Sequence, residues 1–206
     1  CSHLKEMDKL FITDCEGPVS RNDNALELSE FYIPEGDKLF SILSTYDDIL
    51  AYILKKENYN PGNTLKLIFP FLIAFGATYE GIKEYSRRNI SLLPSVEKTL
   101  KDISKIMPVY IISTSYEPYI EALCEALDFP IKNAFCTKLK REIFNMEKHE
   151  RKLLIDIAEE IKRIGKPEIP YGVSSFDELD PEAKNIVERL NDIFWKDLYR
   201  ICLLYT

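Results

Sequence analysis

The sequence predicts an α/β protein built on a parallel sheet, and three observations point there. Two short apolar runs, KLFIT at 9–13 and VYIIS at 109–113, both lead into polar residues, as buried strands do. The second run has an amphipathic helical pattern on either side. A strand, a long excursion, a helix, a strand and another helix is the order of parallel strand–helix–strand units.

Each element has its own signature. Residues 9–13 are apolar, carry the β-branched pair Ile12-Thr13, and run into the turn DCEGP. In the next segment Asp23 is positioned to cap a helix bearing Leu26, Leu28 and Phe31. From about 22 to 91 the chain is rich in aromatics and helical patterning, including a stripe of Ile49, Leu50, Tyr52 and Ile53. Asp47-Asp48 stand just ahead of that stripe, where a cap belongs, and Asn60-Pro61-Gly62 marks a turn. The run LKLIFPFLIAFG (65–76) is shorter than the roughly 20 residues of a spanning helix and is interrupted by Pro70; it reads as a buried helix.

Pro94-Ser95 opens a helix with Val96, Leu100, Ile103 and Ile106, and Pro118 opens one with Ile120, Leu123, Ala126 and Leu127. The tail repeats the pattern. Leu153, Leu154, Ile157, Ala158 and Ile161 share a stripe that Gly165 closes, and Asp180-Pro181 starts a helix with Ile186, Val187, Leu190, Ile193 and Phe194. No later strand is evident, so the sheet reads as incomplete at its C-terminal end. These signals divide the chain into a discontinuous α/β core (7–21 and 92–145), a helical insertion (22–91) and a second helical insertion or tail (146–206). MDKLFITD reads like a natural start at Met7.

Charge and cysteine usage narrow the function. A net charge of −7 argues against a nucleic-acid binder, which would present a basic face. The five cysteines, at 1, 15, 124, 136 and 202, include no CxxC pair, and only His3 and His149 could join them at zinc. Reduced thiols in a cytoplasmic protein are therefore expected. The N-terminal residues lack the apolar centre of a signal peptide, and no membrane span is expected.

The turn after the first strand raises the chemical question. A strand needs Gly or Pro to end; it does not need carboxylates at both Asp14 and Glu16. In parallel sheets, ligands bind beyond the carboxyl ends of the strands, where Asp14 and Ser113 both stand. A nucleophilic carboxylate there can accept a phosphoryl group as an acyl phosphate. A second carboxylate two residues on can protonate the leaving group and later activate water. Mg²⁺ would be gathered by such oxygens, with Asp14 and Glu16 as its protein ligands, and hydroxyls at Ser113 and Thr114 can meet the phosphoryl oxygens. Ser113 is preferred to Thr114 or Ser115.

Asp14-Cys15-Glu16-Gly17 after a strand, with VYIIS ending in Ser113, resembles the haloacid dehalogenase (HAD) superfamily. The run LLPSVEKTLKDISKIMPVYIISTSY is similar in layout to its phosphoserine-phosphatase-like members. TDCEGP, DNALE, STYDDILAY and LKLIFPFLIAFG resemble an archaeal branch designated subunit R of the energy-converting hydrogenase A cluster. The resemblance implies a Rossmann-like core with a helical cap at 22–91 and a cytoplasmic, Mg²⁺-dependent phosphatase acting on a small phosphorylated metabolite. The alternative it implies is a catalytically weak accessory subunit with a protein-complex partner. Two departures stand out. Glu16 occupies a position where family phosphatases carry Asp, and neither Lys166 in GKPEIP nor the acidic FDELD (176–180) follows a strand.

Overall fold

The computed structural model describes residues 9–198. Its elements run β1 (Phe11–Thr13), α1 (Asn24–Tyr32), α2 (Gly36–Asp48), α3 (Thr64–Ala74), α4 (Tyr79–Asn89), α5 (Val96–Ser104), β2 (Val109–Tyr116), α6 (Glu117–Leu127), β3 (Ala134–Thr137), α7 (Lys148–Ile164) and α8 (Pro181–Asp192). Short π-helical turns extend α2 and α8. They divide into two compact units. One comprises the described residues 9–24 with Tyr79–Leu139; the other comprises Ala25–Thr78 with the described residues 140–198.

The first unit is α/β. β1, β2 and β3 form one parallel sheet in that order, with Thr13 level with Ile111 and Ile111 level with Ala134. Val109, Ile111 and Ala134 are buried against a core of Leu100, Ile120, Leu123 and Leu127 from α5 and α6. Pro at the start of α6 has no N–H to leave unpaired there. α4 joins this unit through charge as well as packing: Lys83 lies 2.8 Å from Glu121 and 2.9 Å from Glu125, and Arg87 lies 2.8 Å from Glu125.

The sheet corrects two expectations. A third strand, Ala134–Thr137, pairs with β2. β2 also continues to Tyr116, three residues beyond the expected end at Ser113, with a register irregularity between Ile112 and Tyr116. AFCT is only four residues long and carries a polar end, which is why its strand character is weak in the sequence.

The second unit is helical. α3, with Pro70 inside it, is buried along nearly its whole length, and Arg151 of α7 donates to the carbonyls of Ile73 (3.0 Å) and Ala74 (2.7 Å). That guanidinium satisfies the Ala74 carbonyl at the helix end and joins Gly76 N–H on that of Ile73. α1 and α2 approach so closely that a Cβ on Gly36 would lie 1.8 Å from the Ser29 carbonyl oxygen. Asp180 caps α8 as expected, accepting from Ala183 N–H at 2.8 Å. Asp47 is not the cap the sequence suggests. It sits inside α2, is buried, and accepts from Tyr59 Oη (2.6 Å), Gly62 N (3.0 Å) and Thr64 Oγ1 (3.0 Å). It staples the 55–63 loop to the helix. The excursion expected as one helical module over 22–91 is thus divided, with α4 in the α/β unit. No single helix is long and apolar enough to cross a membrane among the described residues.

Candidate functional site

The site is built on the end of β1. Gly17 takes φ +101°, a conformation that L side chains rarely adopt, and its N–H donates to Ser20 O at 2.8 Å. Val19 and Ser20 both donate to Cys15 O at 3.0 Å, so residues 15–20 fold back on themselves. The turn is then tied to the chain ahead of α5: Arg21 N donates to Ser91 O (2.8 Å) and Leu93 N to Val19 O (3.0 Å). The Asn22 amide holds Asn89 O and Ser91 N, each at 2.9 Å. A loop with this many backbone bonds keeps its side chains in fixed directions.

Asp14 leaves the sheet with an exposed carboxylate whose Oδ1 accepts from Cys15 N at 2.6 Å. Because Thr13 is level with Ile111, Asp14 comes level with Ile112 and Ser113 stands one residue further along the neighbouring strand. Ser113 Oγ accepts from Ser115 N at 3.1 Å, and Thr114 is exposed with its carbonyl taken by Thr137 Oγ1 at 2.6 Å. The carboxylate of one strand and the hydroxyl run of its neighbour therefore share one end of the sheet. The sequence placed these residues by their strands alone.

Glu16 is half-buried, and its Oε1 accepts from Asn24 N, the first residue of α1, at 2.9 Å. Burial pushes its carboxyl above the usual range, opposed by the Asn24 N–H and the nearby Ser115 hydroxyl, which favour the charged form. Asp23 and Asp14 add to the rise. Asn24, which sequence reasoning missed, and Ser115, which it set behind Ser113, lie here. Asn24 Oδ1 and Ser115 Oγ are fully buried and, among the described residues, have no hydrogen-bond partner. Nothing in residue type marks them out, because satisfaction is a property of the folded neighbourhood.

Cys15, between the two carboxylates, is buried and its thiol is pushed up to about 12, chiefly by burial. It is a packing residue beside Tyr119, whose hydroxyl bonds Ser20 Oγ at 2.6 Å. Of the cations, Lys138 just beyond β3 is engaged by Glu117 at 2.7 Å. Lys166 lies in the helical unit, donating to Ser41 Oγ at 3.2 Å. His149 is exposed on α7 beside Glu147, in keeping with a solvated charged face.

No family model matches the chain, and no curated protein matches it. The chain is similar to a solved structure, that of gene product AF1437 from Archaeoglobus fulgidus. It shares 26% sequence identity with a TM-score of 0.74 over 94% of this chain and 56% of that one. The chain thus spans just over half of that protein's length.

Among the described residues no group of three or more His, Cys, Asp or Glu side chains is placed to hold a metal ion. Asp14, Glu16 and the β2 hydroxyls would offer such an ion only hard oxygens, the ligand type of Mg²⁺ rather than of zinc.

Proposed function

We propose that the end of the β1–β2 pair is a phosphoryl-transfer site and that the protein is a HAD-like phosphatase acting on a small phosphorylated metabolite. The observation that carries this reading is the shared position of the exposed Asp14 carboxylate and Ser113 on adjacent parallel strands, with the half-buried Glu16 carboxyl two residues on.

In this reading an Asp14 oxygen attacks phosphorus, and the P–O bond to the leaving alcohol breaks as the aspartyl–phosphate bond forms. Glu16, whose hold on its proton burial strengthens, gives that proton to the leaving oxygen. Its Oε1 accepts from Asn24 N–H, so Oε2 is the oxygen that carries the proton. The carboxylate left behind takes a proton from the water that attacks phosphorus, which frees inorganic phosphate and restores Asp14. Ser113 and Thr114 orient the phosphoryl oxygens. Mg²⁺, held by Asp14 and the Glu16 segment, would supply charge compensation for those oxygens.

The test is a panel of phosphate esters with and without Mg²⁺. Turnover that chelation removes and that Asp14→Asn lowers by at least about a thousandfold is expected, since an amide is a poor nucleophile. Equal turnover by parent and Asp14→Asn would end the covalent mechanism.

A second reading, a catalytically weak accessory subunit, draws on one observation. A dianionic phosphate calls for a positioned cation, yet Lys138 is committed to Glu117. No turnover across the panel, with Mg²⁺ binding weakly, would favour that reading.

A further inference from the structure

Ser115 is a buried group that the chemistry described so far leaves idle. It is 1% exposed, and among the described residues its Oγ has no hydrogen-bond partner. The hydroxyl residues just before it on β2 are more open: Thr114 is exposed and Ser113 half-buried. The strand is irregular here. Ile112 is level with Phe135 and Tyr116 with Thr137, so four steps along β2 match two along β3. Extra residues of this kind re-aim side chains, and they are over-represented beside active sites. Ser115 N donates to Ser113 Oγ at 3.1 Å, which ties the two serines together.

The group that the Ser115 hydroxyl bears on is the Glu16 carboxyl, whose charged form it favours. The two oxygens of that carboxyl have different fates. Oε1 accepts from Asn24 N at 2.9 Å. Oε2 becomes a bare, half-buried carboxylate oxygen once its proton has gone to the leaving group. A charged oxygen withdrawn from water is costly without a donor. A serine hydroxyl supplies one O–H that can rotate to serve it. The second unpartnered buried atom, Asn24 Oδ1, is an acceptor and cannot.

We propose that Ser115 is a positioning residue for Glu16. Its hydroxyl is unpaired while Glu16 holds the proton, and it donates to the Glu16 carboxylate once that proton has passed to the leaving oxygen. No covalent bond to Ser115 forms or breaks; only its O–H turns. A hydrogen bond that strengthens as the charge develops lowers the barrier without tightening substrate binding. The carboxylate so held then takes the proton of the attacking water. That role rests on the phosphoryl-transfer reading; the pairing of Ser115 with an ionised Glu16 does not.

The test is kcat for phosphate esters graded by leaving group, from p-nitrophenyl to simple alkyl, with Mg²⁺ present. Poor leaving groups depend most on the acid. Ser115→Ala should lower kcat for alkyl esters by about ten- to a hundredfold, the scale of one hydrogen bond to a charged group, with KM little changed. The loss for the nitrophenyl ester should be several times smaller. Ser115→Cys, of similar shape but a weaker donor, should fall between parent and Ser115→Ala. In a Glu16→Gln background Ser115→Ala should add less than about twofold, because the carboxylate it serves is gone. Equal losses for every leaving group, or full additivity with Glu16→Gln, would assign Ser115 to packing and overturn the proposal. A second measurement needs no turnover. The infrared band of the ionised Glu16 carboxylate, identified as the one that Glu16→Gln removes, should shift in Ser115→Ala. An unshifted band would overturn the pairing. A shifted band with no turnover of any ester would sustain the pairing and end the phosphatase reading, so the two failures are distinguishable.

Discussion

The two units treat their buried polar groups in opposite ways. Among the described residues of the helical unit no buried side-chain N or O lacks a partner: Asp47 receives three donors, and the buried Lys162 ammonium reaches Pro34 O at 2.8 Å and Glu159 at 2.7 Å. In the α/β unit, Glu16 is held half-buried with its proton affinity raised, between Asn24 and Ser115, whose side-chain oxygens have no partner. An unpaired buried polar group is destabilising, while a paired one is close to neutral. The first arrangement is what a scaffold needs. The second leaves hydrogen-bonding capacity for something else to use, and it stands at the strand ends.

The comparison can be broken by substitution. Asp47→Ala should have the largest effect, about 3 kcal/mol, because it strands donors from Tyr59, Gly62 and Thr64 at once. Thermal unfolding should show a drop of roughly 6–12 °C for a chain of this size. Gly36→Ala should follow at about 2 kcal/mol, since the Ser29 carbonyl occupies the space of the new methyl and backbone must move. Denaturant titration measures it, and an unchanged midpoint would show that α1 and α2 separate easily.

Glu16→Gln tests the other side. The folded carboxyl holds its proton more tightly than the unfolded one, so the folded state binds more protons. The stability it contributes is full below the usual carboxylate value and is lost as pH rises to the raised one. The parent should therefore lose stability across that window, and Glu16→Gln should flatten the slope in unfolding midpoints taken at several pH values. An unchanged slope would mean that Glu16 ionises freely. Ser115→Ala should be the mildest, within about 0.5 kcal/mol, since its hydroxyl makes no well-formed hydrogen bond and only its support for the charged Glu16 carboxyl is lost. If Ser115→Ala matched Asp47→Ala, the contrast between the units would collapse.

What the sequence disclosed follows the range of the forces involved. β1, the start of β2, and α5 to α8 have local signatures of periodicity, capping and proline placement, and they stand where those signatures put them. Asp14, Glu16 and Ser113 could be picked out because strand ends are local too. β3 was hidden by its four residues, and the allegiance of α4 by the fact that Lys83 and Arg87 find Glu121 and Glu125 about 40 residues away. Asp47 looked like a cap because its three donors come from a loop that turns back only once folded. The buried, unpaired oxygens of Asn24 and Ser115 were hidden for the same reason.

The interleaving of the two units has a consequence for synthesis. α3 is almost entirely apolar, and the guanidinium that closes it belongs to Arg151, 78 residues after Ile73. At roughly 5–20 residues per second, the ribosome delivers that partner about 4–16 s later. Through that interval LKLIFPFLIAFG is in the nascent chain without its final neighbours, while all of β2, α6 and β3 are made. The α/β unit can therefore close first, from residues 9–24 and 79–139, and the helical unit must wait for translation to pass beyond it. A holding chaperone would have its longest opportunity on that one segment.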